Sequence, residues 1–355
     1  MTGRLPPMRA DLGLREGYHS PQVEAAARLN TNESPYPPPA EWIRAVQDEV
    51  AAVDWNRYPD RGAWDLRRAV ADLHGVDPEQ VWCANGSNEI LQTLLLAYGG
   101  PDRSVAVWEP TYALHRHIAE LTGTAVLEGP RTADLTLDEA EVVGLIEVGR
   151  PTVTFLCSPN NPTGESVPRQ LVELVVDRAP GLVVVDEAYG QFAPWSAAEL
   201  VADDTPLIVT RTYSKTWSLA GLRLGYCIAP REVVTAMERA SLPYHLDTFT
   251  QVAGRLALRF VDDMERRVSR IVEERGRVAA GLSELPVEVW PSDANFILFR
   301  PEARRGADVW KGLLARSVLV RDCSTWPGLD GCLRVTIGTP EENGAFLSAL
   351  GEVLT

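Results

Sequence analysis

Residues 152–189 read TVTFLCSPNNPTGESVPRQLVELVVDRAPGLVVVDEAY, and this stretch decides the fold. Two β-branched-rich runs, 152–157 and 182–185, flank an amphipathic segment at 169–177. Each run ends at polar or turn-forming residues, as a strand buried on both faces does. A strand–helix–strand unit of this kind belongs to a parallel sheet covered by helices, with ligands at the carboxyl ends of the strands.

The same alternation continues on both sides, from about residue 45 to 245. Further strands are expected at 104–108 (SVAVW) and 207–210 (LIVT), and helices at 89–98 (EILQTLLLAY) and 114–121 (LHRHIAEL). A long charged helical stretch, 252–285, then bridges to a smaller α+β unit. Its strands are expected at 296–299, 318–320 and 333–337, with a closing helix at 340–353. The first 44 residues are Pro-rich and lack strong periodicity. The expected organisation is therefore an α/β chain in three parts. Residues 1–44 form an arm packed on the small domain, 45–250 a large domain with a mainly parallel sheet, and 251–355 a small C-terminal α+β domain.

Composition narrows the function. The chain has 355 residues, 45% hydrophobic and 23% charged, which is ordinary for a soluble globular protein. No run approaches the ~18 apolar residues of a membrane span, and the N-terminus has no apolar signal core. A net charge of -15 argues against nucleic acid as the main partner, since binding there depends on basic contacts to phosphates. The five cysteines are odd in number and lack CxxC spacing, which fits a reducing cytoplasm and leaves no metal-ligand pattern. Only two of the 34 basic side chains are lysines, Lys215 and Lys311. Any chemistry that needs a side-chain amine has just these candidates.

Four polar clusters follow the apolar runs. In 182–189, Asp186 comes directly after a buried run. Such an acid is costly to bury without a cationic partner, although a helix cap or a domain salt bridge also explains it. In 211–226 (RTYSKTWSLAGLRLGY), Lys215 lies among Thr212, Ser214 and Arg223, groups that suit a phosphate. A solvated loop lysine is the plain alternative there, and Lys311 lies in an amphipathic pattern that points it to water. SPNNPTG (158–164) alone reads as a turn. Gly86, Ser87 and Asn88 open an apolar helix, whose N-terminus either binds phosphate or is simply capped. Together the four supply an amine, a buried carboxylate, a phosphate cup and an amide donor. Pyridoxal phosphate requires this set.

The chain resembles fold type I aminotransferases, and most closely the histidinol-phosphate aminotransferase family. The resemblance runs from 28–39 (RLNTNESPYPPP) to 333–350 (LRVTIGTPEENGAFLSAL), through NRYPD, GSNEIL, EPTY, SPNNPTG, VVDEAY and LPYHL in order. It implies that Lys215 joins the cofactor as a Schiff base and shuttles the proton at the substrate Cα. It further implies that Asp186 keeps the pyridine nitrogen protonated, that Asn161 and Tyr189 bond the ring oxygen, and that Tyr112 stacks on the ring. Gly86, Ser87, Asn88, Thr212, Ser214 and Arg223 would bind the cofactor phosphate. Tyr58 would reach that phosphate from a neighbouring subunit, which implies a homodimer with shared sites. Arg334 would take the substrate anion, Arg321 would be a second anion contact, and Tyr18, Asn32 and Tyr244 would line the pocket.

The expected reaction is transfer of an amino group between histidinol phosphate and 2-oxoglutarate, giving imidazole-acetol phosphate and glutamate. An aromatic amino-acid aminotransferase is the nearest alternative, and a threonine-phosphate decarboxylase a more distant one. A regulatory cofactor-binding protein would need a DNA-binding module, for which the chain has neither length nor charge. His115 and His117 invite a metal reading, but residues two apart on a helix diverge, so surface or packing roles are expected. His245 is expected to be structural, and Cys157 a buried small residue. The stretch 322–330 (DCSTWPGLD) is longer and more polar than the family resemblance leads one to expect beside the arginines.

Overall fold

The computed structural model describes Leu5, Met8 and residues 23–355. In chain order the strands and helices begin with β1 (Ala27–Leu29), α1 (Ala40–Val50), α2 (Trp64–His74), β2 (Val81–Ala84) and α3 (Gly86–Tyr98). The centre of the chain supplies β3 (Ser104–Glu109), α4 (Leu114–Leu121), β4 (Ala125–Pro130), α5 (Glu139–Gly149), β5 (Val153–Cys157), α6 (Arg169–Arg178), β6 (Leu182–Asp186) and β7 (Leu207–Thr212). Then come β8 (Gly225–Ile228), α7 (Arg231–Ala240), α8 (Thr248–Ala257) and α9 (Val261–Ser283). The chain closes with β9 (Val287–Val289), β10 (Phe296–Pro301), α10 (Gly306–Ala315), β11 (Val318–Asp322), β12 (Leu333–Thr336) and α11 (Pro340–Leu354).

A seven-stranded sheet runs in the order β2-β8-β7-β6-β5-β3-β4. All its pairings are parallel except those of β8, which is antiparallel to β2 and β7. Alternate residues of the central strands face opposite cores. Val105, Val107, Phe155, Val184 and Ile208 pack with α3, α4 and α7, whereas Ala106, Trp108, Leu156, Val185 and Val209 pack with α5 and α6. Burial on both faces is why these strands read as unbroken apolar runs. The register sets Cys157 beside Asp186 and Asp186 beside Thr210, so the carboxyl ends of β5, β6 and β7 form one line.

A second, five-stranded sheet runs β1-β11-β12-β10-β9, with α9, α10 and α11 against it. In this sheet β1 pairs parallel to β11, and the other pairings are antiparallel. Arg321 and Arg334 lie directly opposite one another across β11 and β12.

Several expectations change. The expected arm boundary at residue 44 falls inside α1, and the arm contains a strand, β1. The single helix expected over 252–285 is two, α8 and α9, separated by a 3-10 turn at Leu258–Phe260. Asp262 and Asp263 occupy the first turn of α9, where acidic groups favour a fresh helix start. The strand expected at 207–210 extends as β7 through Arg211 and Thr212, and Gly225 and Tyr226 belong to β8. Among the described residues no helix is long and apolar enough to cross a membrane.

Candidate active site

The carboxyl ends of β5, β6 and β7 open into a cavity of about 380 Å³. The expected residues Asn32, Ser87, Asn88, Tyr112, Asn161, Asp186, Tyr189, Thr212, Ser214, Lys215, Arg223 and Arg334 all line it. Gly86 adjoins them at the start of α3. Tyr58, Tyr244 and Arg321 are not on this wall, and Tyr18 lies outside the described residues.

Asp186 ends β6 with its side chain 1% exposed. Its Oδ1 accepts from Thr210 Oγ1 (3.2 Å) and Ala188 N (3.1 Å), and its Oδ2 lies 3.0 Å from His115 Nε2. Among the described residues no arginine or lysine pairs with it. The cation in this region goes instead to the next residue: Glu187 Oε2 accepts from Arg211 Nη2 at 2.8 Å, with both side chains buried. Successive residues point to opposite faces of a strand, so Asp186 faces the cavity and Glu187 faces away.

His115 takes the packing role expected of it and adds one that the sequence did not show, the contact to Asp186. It lies on the buried stripe of α4 with Ile118 and Ala119. Its ring stacks on Phe155 (centroids 4.7 Å) and meets Tyr112 edge-on (5.4 Å). A histidine on an apolar stripe, three residues after Tyr112, was the available signal. His245, as expected, is structural: it stacks on Trp82 at 5.1 Å and lies 2.9 Å from Cys83 O. Cys157 is buried on the cavity wall, and burial pushes its thiol pKa up.

Lys215 follows β7 and donates from Nζ to Thr31 O at 3.0 Å. Burial, reinforced by the Arg334 and Arg223 charges and opposed by Glu33, lowers its pKa to about 7. A lysine in this state carries a substantial fraction of free amine at neutral pH. Lys311 is exposed on α10.

At one end of the cavity α3 presents its N-terminus without a side-chain cap. The Asn85 side chain instead donates to Glu89 Oε2 (2.7 Å) and His245 O (2.9 Å). Gly86 has φ 80°, and a Cβ there would lie 2.9 Å from Arg223 Nη2. Thr212 Oγ1 donates to Ser214 Oγ (2.9 Å), and Arg223 Nη1 to the same hydroxyl (3.3 Å). Free amides, hydroxyls and a guanidinium at a helix start are groups that can hold an anion.

Arg334, 5% exposed, forms another part of the wall. Its Nη1 donates to Asn161 Oδ1 and its Nη2 to Asn30 O (3.0 Å), while its Nε has no hydrogen-bond partner among the described residues. Tyr189 accepts from Asn32 Nδ2 at 2.9 Å, and burial pushes its phenol up to about 12. Arg321 stands over the Trp326 ring, 5.4 Å from its centroid. Sequence reasoning missed His115, Thr210, Thr31 and Glu33.

The chain matches the family model for aminotransferase class I and II over residues 26–350. It is 45% identical over 351 residues to the histidinol-phosphate aminotransferase of Thermobifida fusca (strain YX), covering 97% of this chain and 94% of that protein. Identity to the enzyme of the same name from Mycobacterium sp. (strain KMS) is 44%, covering 97% and 93%. Among solved structures, the Sinorhizobium meliloti histidinol-phosphate aminotransferase in complex with pyridoxal-5'-phosphate superimposes with a TM-score of 0.89. Identity there is 21%, and coverage is 100% of this chain and 99% of that one. The Porphyromonas gingivalis L-threonine-O-3-phosphate decarboxylase gives a TM-score of 0.81 at 22% identity, covering 92% and 99%. At these identities the likeness to solved structures speaks for the fold, which is that of the fold type I enzymes. The near-full-length family match and the identity to curated relatives carry more: the chain belongs to the class I and II aminotransferases, in their histidinol-phosphate aminotransferase branch.

Proposed function

We propose that this chain is a pyridoxal-phosphate-dependent aminotransferase that converts histidinol phosphate and 2-oxoglutarate to imidazole-acetol phosphate and glutamate. The observation that carries the reading is a single cavity walled by Lys215, Asp186 and Arg334, the last with a buried Nε still unpartnered among the described residues.

The residues fit the cofactor. A carboxylate buried on the cavity wall without a strong cation suits a protonated ring nitrogen. An uncapped helix start, crowded enough that a Cβ on Gly86 would meet Arg223, suits a phosphate. When bound, the cofactor supplies an aldehyde that condenses with amines and a pyridinium ring that withdraws electrons from the attached Cα.

The chain's own groups then divide the work. The α3 amides at Gly86, Ser87 and Asn88, with Thr212, Ser214 and Arg223, hold the phosphate. Asp186 would hold the proton at the ring nitrogen, and its own position is fixed by Thr210, Ala188 and His115. Asn161 and Tyr189 would orient the cofactor's ring oxygen, and Tyr112 would pack against its ring. Lys215 Nζ would hold the cofactor at its aldehyde carbon and would move the proton at the substrate Cα, a role suited to an amine whose pKa is lowered to about 7. Arg334 binds the substrate carboxylate or phosphate, with Arg321 beside it on the neighbouring strand as the second anion contact.

The proposal extends to a homodimer with shared sites. Tyr58 is 80% exposed and stacks on Tyr244, centroids 4.5 Å apart, outside the cavity of its own chain. Trp55, Leu242 and Phe249 in the same two segments are exposed as well. Such a patch on a soluble chain supports a covered face, with Tyr58 contributing to the partner's site. All five cysteines are free and buried, which supports a reducing, cytoplasmic setting.

The test is steady-state turnover: purified protein with pyridoxal phosphate, histidinol phosphate and 2-oxoglutarate, assayed for glutamate. Glutamate formation at an enzymic rate supports the reading. Release of carbon dioxide without glutamate would contradict it.

A further inference from the structure

Segment 30–33 enters the cavity wall clamped by groups far along the chain. Asn30 O accepts from Arg334 Nη2, and Thr31 O accepts from Lys215 Nζ. The Asn32 amide donates to Thr336 Oγ1 (3.0 Å), its carbonyl accepts from Asn295 Nδ2 (3.1 Å), and its side chain donates to the Tyr189 hydroxyl. Its φ of 55° is a left-handed value that asparagine tolerates better than most residues. The residue that follows, Glu33, is therefore held in a fixed place beside both the substrate arginine and the lysine.

Glu33 lines the cavity and also an adjoining recess of about 800 Å³ that includes Glu24, Arg28 and Ser317. Among the described residues its carboxylate has no hydrogen bond and no ion pair. The other carboxylate on the cavity wall, Asp186, is already engaged by Thr210, Ala188 and His115. Charges facing Glu33 are Lys215, Arg334 and Arg223 from the cavity and Glu24 and Arg28 from the recess. A site so rich in cations repels a cationic substituent unless a carboxylate receives it.

We propose that Glu33 reads the substrate's ring, its carboxylate accepting from the N–H of an imidazole, most strongly in the protonated form, and so selecting a cationic nitrogen heterocycle over a neutral aromatic ring. A substrate whose anion lies at Arg334 and whose amine lies at Lys215 has its third substituent left to place, and the opening into the recess at Thr31 and Glu33 receives it. A free imidazole titrates near about 6.5, and pairing with a carboxylate extends its protonated range upward. This inference rests on the aminotransferase reading and names the feature that separates a histidinol-phosphate enzyme from an aromatic one.

The experiment uses the cofactor-loaded enzyme and two donors, histidinol phosphate and its phenyl analogue, which keeps the amine and phosphate and changes only the ring. The amino-transfer half-reaction is followed by cofactor absorbance, and kcat/KM is compared for wild type and Glu33→Gln. Wild type is expected to prefer the imidazole donor, less so as pH rises through about 6.5. In Glu33→Gln the preference falls about tenfold, the scale of one charge-assisted hydrogen bond, and its pH dependence flattens. An unchanged ratio overturns the inference. So does an equal loss on both donors, which would mean that Glu33 acts through Lys215. If wild type reacts with neither donor, the histidinol-phosphate reading falls first and Glu33's role with it.

Discussion

His115 Nε2 lies 3.0 Å from Asp186 Oδ2, and each side chain is 1% exposed. The ring is fixed by its stack on Phe155, so it aims the carboxylate rather than merely neutralising it. His115→Phe preserves the stack and removes the bond. Its kcat is expected to fall by roughly 10- to 100-fold, the scale of a lost hydrogen bond to a charged group. Cofactor should stay bound by absorbance, and His115→Gln, which keeps a donor, should recover part of the rate. Wild-type kcat in His115→Phe would reduce the residue to a space filler.

Lys215→Ala should fold, bind cofactor non-covalently and lose amino transfer, because the other lysine, Lys311, is exposed on α10. Full activity in that variant would defeat the assignment.

The low pKa of Lys215 is directly readable in so lysine-poor a chain. In cofactor-free protein labelled at lysine, NMR gives two side-chain signals, and Lys311→Arg identifies the other. The Lys215 signal should titrate near 7. The sign for stability follows: between about 7 and the ordinary lysine value of ~10.4 the unfolded chain binds the extra proton. Cofactor-free stability due to this group should therefore rise with pH across that window and be lost as pH falls through 7. A Lys215 midpoint above 10 would remove the electrostatic basis for its reactivity.

Gly225 sits in β8 directly beneath the start of α3. A Cβ there would lie 2.5 Å from Ser87 N and 2.6 Å from Gly86 C, so Gly225→Ala must push aside the α3 amides proposed to hold the phosphate. Cofactor dissociation should strengthen about tenfold or more, read by equilibrium dialysis. Gly144→Ala, whose added carbon meets nothing within 4 Å, should bind cofactor as wild type does. Equal affinity in both variants would show that the cup does not depend on this close approach.

Tyr58 and Tyr244 give the dimer a direct test. Sedimentation should show two chains per particle, and Tyr58→Ala should retain cofactor less well. Mixing Tyr58→Ala with Lys215→Ala subunits at limiting cofactor should give more activity than either variant alone, since a mixed pair contains one complete site. An active monomer, or mixing without gain, would remove the shared site.

The strands β3, β5, β6 and β7 were legible because both faces are buried, which leaves an unbroken β-branched run. The strands β2 and β8 were not, since four residues such as VWCA or GYCI carry no period, and β8 begins inside the polar cluster 211–226. Asp186 was visible as an acid after a buried run, and Lys215 through the scarcity of lysine. His115 was hidden by its pairing with His117, although its place on an apolar stripe was available. The clamp on segment 30–33 was beyond sequence reading, because Asn32 and Thr336 meet across 304 positions. The role proposed for Tyr58 and Tyr244 requires a second chain, which a single sequence does not display.

The amino-transfer half-reaction tests the central claim most directly. Stoichiometric cofactor-loaded protein, given no oxo acid, is mixed with histidinol phosphate or with phenylalanine while cofactor absorbance is followed. Rapid conversion of the lysine-linked form to the amine form with histidinol phosphate, and slow or no conversion with phenylalanine, is the expected result. Faster conversion with phenylalanine would make this an aromatic aminotransferase, and no conversion with either would leave the fold while removing the substrate.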